Sequence, residues 1–114
     1  MTNTYSDSDI PRNRLRMIEE MLETNPDDSF LRYAAALEYR KAGEMKRALQ
    51  TLQNLVAHDP DYLGSYYQLG KLLEESGDAD EAMKVYHRGL TIAQKKQDAK
   101  TLGELQEAIM LLED

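Results

Sequence analysis

The 114-residue sequence predicts an all-α fold of about six antiparallel helices. Three observations predict it. Apolar residues recur at three- and four-residue spacing along most of the chain, the period of one helix face. A pattern recurs at 34 residues, pairing Pro26 with Pro60, Asp27 with Asp61, Tyr33 with Tyr67, Gly43 with Gly77, Glu44 with Asp78, and Ala48 with Ala82. Proline is confined to Pro11, Pro26 and Pro60, so the segments between are free to run as helices.

The elements follow in order. Residues 1–9 are polar and read as a frayed tail. Residues 10–25 form a capping helix: Pro11 suits a first turn, Leu15, Ile18, Met21 and Leu22 make a stripe, and Asn25-Pro26 ends it. The first repeat covers residues 27–60. Its first helix, Asp27 to Ala42, carries Phe30, Leu31, Tyr33, Ala34, Ala35, Leu37 and Tyr39. Gly43 supplies the left-handed residue that stops a helix. Met45 to Ala57 follows with Ala48, Leu49, Leu52, Leu55 and Val56 on one face. The second repeat covers residues 61–94. Asp61 to Ser76 carries Leu63, Tyr66, Leu69, Leu72 and Leu73, and Gly77 stops it. Asp78 caps the next helix, with Glu81 placed three residues on for a capping box. Lys95 to Asp98 reads as a polar connection. Residues 98–114 hold a last capping helix with Leu102, Leu105, Ile109 and Leu112 along one face.

These units resemble the tetratricopeptide repeat, a 34-residue helix–turn–helix. In the second copy Tyr66, Leu69-Gly70 and Leu73 stand where the family has its Trp, Leu-Gly and Tyr. Gly77-Asp78 falls at the inter-helix turn, and Ala82 and Tyr86 match the family's Ala and aromatic. Gly89 and Gln94 depart from the usual Ala and Pro. In the first copy Arg32 replaces the aromatic and Ala35-Ala36 replaces Leu-Gly, while Tyr39, Gly43, Ala48, Leu52 and Pro60 fit. The resemblance implies a right-handed α-α superhelix, with two full repeats between two single-helix caps. Ala36, Gly70, Ala48 and Ala82 then fall where helix backbones approach closely.

Composition narrows the function. The net charge of −7 argues against nucleic acid and anionic membrane, since both call for a basic face. There is no cysteine, hence no disulfide, thiol chemistry or thiolate zinc site. No apolar run reaches the ~20 residues of a membrane span, and the N-terminus has neither the basic start nor the apolar core of a secretory leader. A cytoplasmic protein is expected. His58 and His87 are the only histidines, and both read as surface residues. No nucleophile elbow, metal-ligand spacing or phosphate loop is present. The sequence therefore predicts no enzyme, no cofactor and no metal.

The resemblance implies that the first helix of each repeat lines a concave groove that holds a protein or peptide partner. Carried over by position, that groove shows Phe30, Tyr33, Leu37, Arg40 and Lys41 from the first repeat. Gly64, Tyr67, Gln68, Lys71, Glu74 and Glu75 come from the second. An aromatic groove suits an apolar or helical peptide. Two other fates are open to the same stripe. The last helix can fold over it and make it core, or a second copy of the chain can bury it in a homodimer. The chaperone-tail-binding subtype, which clamps a terminal carboxylate with Lys and Asn, is a poor match. Tyr33, Leu37 and Gln68 stand at three of its positions, and a third full repeat is missing.

Overall fold

The computed structural model describes the backbone of residues 9–114 and the side chains from residue 13 onward. The tail expected over residues 1–9 lies outside the described residues, apart from Asp9. Six helices are present: α1 (Asp9–Thr24), α2 (Ser29–Lys41), α3 (Met45–His58), α4 (Gly64–Glu75), α5 (Ala79–Lys96) and α6 (Ala99–Glu113). Among the described residues there is no strand, and no helix is long and apolar enough to cross a membrane.

Three helix starts, those of α2, α5 and α6, are set by aspartates. Asp28 accepts a hydrogen bond from the Leu31 amide (3.0 Å), Asp78 from Glu81 (3.3 Å) and Asp98 from Thr101 (3.1 Å). Each satisfies an amide that the first helical turn leaves without a carbonyl. The expected start of α2 at Asp27 is thus corrected to Ser29, because Asp28 takes the cap. α4 likewise starts at Gly64 and not at Asp61. Residues 59–63 are a turn, held by Tyr62 N–H to Asp59 C=O (3.1 Å).

The ends of α2, α4 and α5 share one device. Gly43 (φ +80°) donates to Arg40 C=O and Glu44 to Tyr39 C=O; Gly77 (φ +84°) donates to Glu74 and Asp78 to Leu73. These are Schellman stops around a left-handed residue. α5 ends the same way, with Gln97 donating to Gln94 and Asp98 to Ala93, yet the left-handed position (φ +56°) is a glutamine. Lys95 and Lys96, expected in a connection, are instead the last residues of α5, and only Gln97 and Asp98 separate it from α6.

The helices fall into two compact units, the first ending at Leu52 and the second running Gln53–Asp114, so the boundary lies inside α3. In the first unit α1 packs on α2, burying Leu15 with Leu31, Ala35, Ala36 and Tyr39; Ala48 and Leu52 of α3 are also buried. Ile18 and Leu22 are half-buried. Met21, expected in the same apolar stripe, is instead half exposed, as is its neighbour one turn back, Met17. Buried Glu38 pairs with Arg14 of α1 at 3.2 Å and with Lys41 at 4.0 Å. Tyr39 donates to Glu19 (2.9 Å) and accepts from Arg47 (3.0 Å), whose guanidinium lies 4.3 Å from the ring centre. Burial, with Glu19 adding to it, holds the Tyr39 phenol above its ordinary pKa.

In the second unit α4 packs on α5, α5 on α6, and α4 more lightly on α6. Tyr66, Leu69, Leu72, Leu73, Ala82, Val85, Tyr86, Ala93, Leu105, Ala108 and Ile109 are buried. Two glycines set the spacing of α4 and α5. The Tyr86 ring of α5 sits over Gly70 of α4, and Tyr66 of α4 sits over Gly89 of α5. Each helix thus lends the other a glycine beneath a tyrosine, so the departure at Gly89 is a packing requirement.

The first copy's Arg32 proves equivalent in one respect to the aromatic it replaces. Tyr66 donates its hydroxyl to Pro60 C=O (2.6 Å), and Arg32 Nε donates to Pro26 C=O (2.8 Å). Donor and acceptor are both displaced by one 34-residue period.

Candidate protein-binding surface

α4 begins without a side-chain cap, its first amides donating instead to the preceding turn, Ser65 to Tyr62 C=O (3.3 Å) and Tyr66 to Leu63 C=O (3.2 Å), and its 3.6-residue period divides the helix. Ser65, Tyr66, Leu69, Gly70, Leu72 and Leu73 face the core. Tyr67 and Lys71, four residues apart and hence on one stripe, do not. Both are half-buried. They form one wall of a small cleft whose other wall is α6, through Glu104, Glu107, Ala108 and Leu111. Those four positions are spaced i, i+3, i+4, i+7, a single helix face.

Charge and ring are coupled within the cleft. The Lys71 ammonium lies 5.6 Å from the Tyr67 ring centre and 3.8 Å from the Glu74 carboxylate. Glu74 also accepts the hydroxyl proton of buried Tyr86. Burial raises the Tyr86 phenol pKa far above its ordinary value, and the hydrogen bond to Glu74 adds to the rise. The cleft is therefore joined to the core by one chain, from Lys71 through Glu74 to Tyr86.

The candidate groove residues fall in both units. On α4, Tyr67 and Lys71 line the cleft, while half-buried Gln68 does not. On α2, Phe30 is 64% exposed, Tyr33, Leu37 and Arg40 are half-buried, and Lys41 is exposed. α6 stands opposite Tyr67 without enclosing it. Glu104, Glu107 and Leu111 had no signal as site residues in the sequence, because only the fold brings α6 to α4. A second, open patch lies on α1, lined by Met17, Glu20, Met21, Thr24 and Asn25. His58 and His87 are exposed, and among the described residues no group of three or more His, Asp or Glu is arranged to hold a metal ion.

Comparison with known proteins gives a consistent result. A family model described as tetratricopeptide repeat matches residues 39–105. A tetratricopeptide repeat domain protein from Salinibacter ruber, solved by crystallography, is similar at 43% identity. The match covers 75% of this chain and 96% of that one, with a TM-score of 0.73. A protein from Bordetella parapertussis, solved in solution, is similar at 30% identity, covering 86% and 85%, with a TM-score of 0.74. A TPR repeat-containing protein of Methanocaldococcus jannaschii is 28% identical over 81 residues, 71% of this chain. The matched region spans only 25% of that relative's length.

Proposed function

This chain belongs to the tetratricopeptide repeat family, and we propose that it is an interaction module whose repeat-lining helices α2 and α4 receive a peptide or protein partner. Tetratricopeptide repeat domains are generally protein–protein interaction modules, and proteins of the family are generally non-enzymatic scaffolds. In this reading residues 27–60 and 61–94 are the two repeats, and residues 10–25 and 98–114 are single-helix caps. The observation that carries it is Tyr67, an aromatic residue on the first helix of a repeat that lines an open cleft instead of entering the core. On the second unit Gln68 and Lys71 of α4 join Tyr67 as candidates, and on the first unit Phe30, Tyr33, Leu37, Arg40 and Lys41 of α2 are the candidates. A reducing, cytoplasmic setting fits a chain without cysteine.

The test is a double substitution, Tyr33→Ala with Tyr67→Ala, used as bait beside the wild-type chain. Partner recovery is expected to fall to background while helicity by circular dichroism stays within about a tenth of wild type. Loss of helicity would assign both tyrosines to the core and remove them from the contact set. Self-association is a second reading, favoured by exposed Met17, Met21, Phe30, Met110 and Leu111. A dimer at every concentration in light scattering, with Tyr67 protected from solvent, would replace the partner-binding reading with that one.

A further inference from the structure

We propose that the α4–α6 cleft is a subsite for a lysine or arginine side chain of a protein partner. This rests on the reading of the chain as an interaction module and specifies the chemistry of one contact. The size of the cleft limits the occupant first. It holds about 80 Å³ of free space, whereas small-molecule sites run to ~300–1,000 Å³. It takes one side chain.

Charge then selects which side chain. Two carboxylates line the cleft, Glu104 and Glu107, against the single ammonium of Lys71. That ammonium is held by Glu74 at 3.8 Å. Glu104 and Glu107 have no ion pair or hydrogen bond among the described residues, and they lie one helical turn apart, where like charges repel. A cation placed between them relieves that repulsion. An acidic residue would meet two exposed carboxylates, and a plain apolar one would leave both without a partner.

The remaining surface fits the stem of such a side chain. Leu111 is 62% exposed at the cleft, and the Tyr67 ring is half-buried across from it. Lysine and arginine lay their methylenes on apolar surface and hold the charged head at the edge, and a tyrosine face attracts a cation. The arrangement places apolar surface beside acidic groups, as a basic side chain requires.

The test uses the isotopically labelled full chain and four nonapeptides that differ only at the central residue: Lys, Arg, Gln or Glu. The Lys and Arg peptides are expected to shift the amide resonances of Tyr67, Glu104, Glu107 and Leu111, and to bind more weakly as salt rises. Glu104→Gln with Glu107→Gln is expected to weaken the Lys peptide about tenfold, with helicity retained because both residues are exposed. Three results would overturn the proposal: equal binding of the Gln or Glu peptide, no effect of the double substitution, or no shift at these residues with millimolar peptide. Failure here is separable from failure of the module reading. A partner lost by Tyr33→Ala with Tyr67→Ala, yet captured normally by the carboxamide variant, would leave the module standing and remove this subsite.

Discussion

Gly89→Ala is the substitution on which the α4–α5 packing can be judged most sharply. The family pattern has alanine at this position, and alanine is a better helix former than glycine by about 1 kcal/mol. On propensity alone the change stabilises. In the structure, however, a methyl group on residue 89 would lie 2.6 Å from Tyr66 Cβ, 2.8 Å from Tyr66 Cγ and 3.0 Å from Leu105 Cδ1. Leu105 Cδ1 is the tip of a flexible chain and can turn away. Tyr66 Cβ and Cγ cannot, since the ring is fully buried and its hydroxyl is tied to Pro60. Overpacking of this kind costs about 1–3 kcal/mol, and immobile neighbours place it in the upper half of that range. After the propensity gain, a net loss of about 1–2 kcal/mol is expected, lowering the melting temperature by about 4–8 °C for each kcal/mol. Gly103→Ala is the control. It lies in α6, where an added methyl meets nothing within 4 Å. It should raise stability by about 0.8 kcal/mol. Urea unfolding followed by circular dichroism measures both. A Gly89→Ala chain as stable as wild type, or more so, would refute the close approach of Tyr66 to α5.

Other expectations follow from the same contacts. Tyr86→Phe removes the hydroxyl that donates to Glu74 and should cost about 1–2 kcal/mol in urea unfolding at pH 7. Because the folded protein holds the Tyr86 phenol above its ordinary value of 10.0, the stability this gives is complete below about pH 10 and is lost as pH rises beyond it. The urea midpoint should therefore drop between pH 9 and pH 11 by less in Tyr86→Phe than in wild type, and equal drops would count against the assignment. Gln97→Gly relieves the left-handed side-chain strain at the α5 stop and should raise stability by about 0.5–1 kcal/mol in the same assay. Ala48→Leu forces a larger side chain into a fully buried position and should lower the urea-derived stability by about 1–3 kcal/mol.

What could be read from sequence was whatever rests on local chemistry. Gly43 and Gly77 were legible because a left-handed stop favours glycine, and Asp78 because it caps the helix that begins beside it. The stop at Gln97 was hidden: Lys95 and Lys96 suit the end of a helix and also suit a loop, and glutamine gives no sign of a positive φ. The α2 and α4 starts slipped by two or three residues because Asp27, Asp28 and Asp61 are all acceptable caps, and only the fold selects among them. Of the cleft, Tyr67 and Lys71 were visible through their repeat positions. Glu104, Glu107 and Leu111 were not, since nothing in residues 100–113 shows which face of α6 turns toward α4. Gly89 showed only as a departure from a pattern, although Tyr66 is the residue that demands it.

The reciprocal seating of Tyr66 on Gly89 and Tyr86 on Gly70 also governs how this unit can move. The two glycines are offset by one turn from the tyrosines on their own helices, at Gly70 against Tyr66 and Gly89 against Tyr86. A slip of α5 along α4 by a single turn, about 5.4 Å, would unseat both rings at once. The pair is keyed against sliding, like two toothed bars in fixed register. Leu105 of α6 reaches the same Gly89 position, so a slip of α5 would also disturb the seat of the last helix.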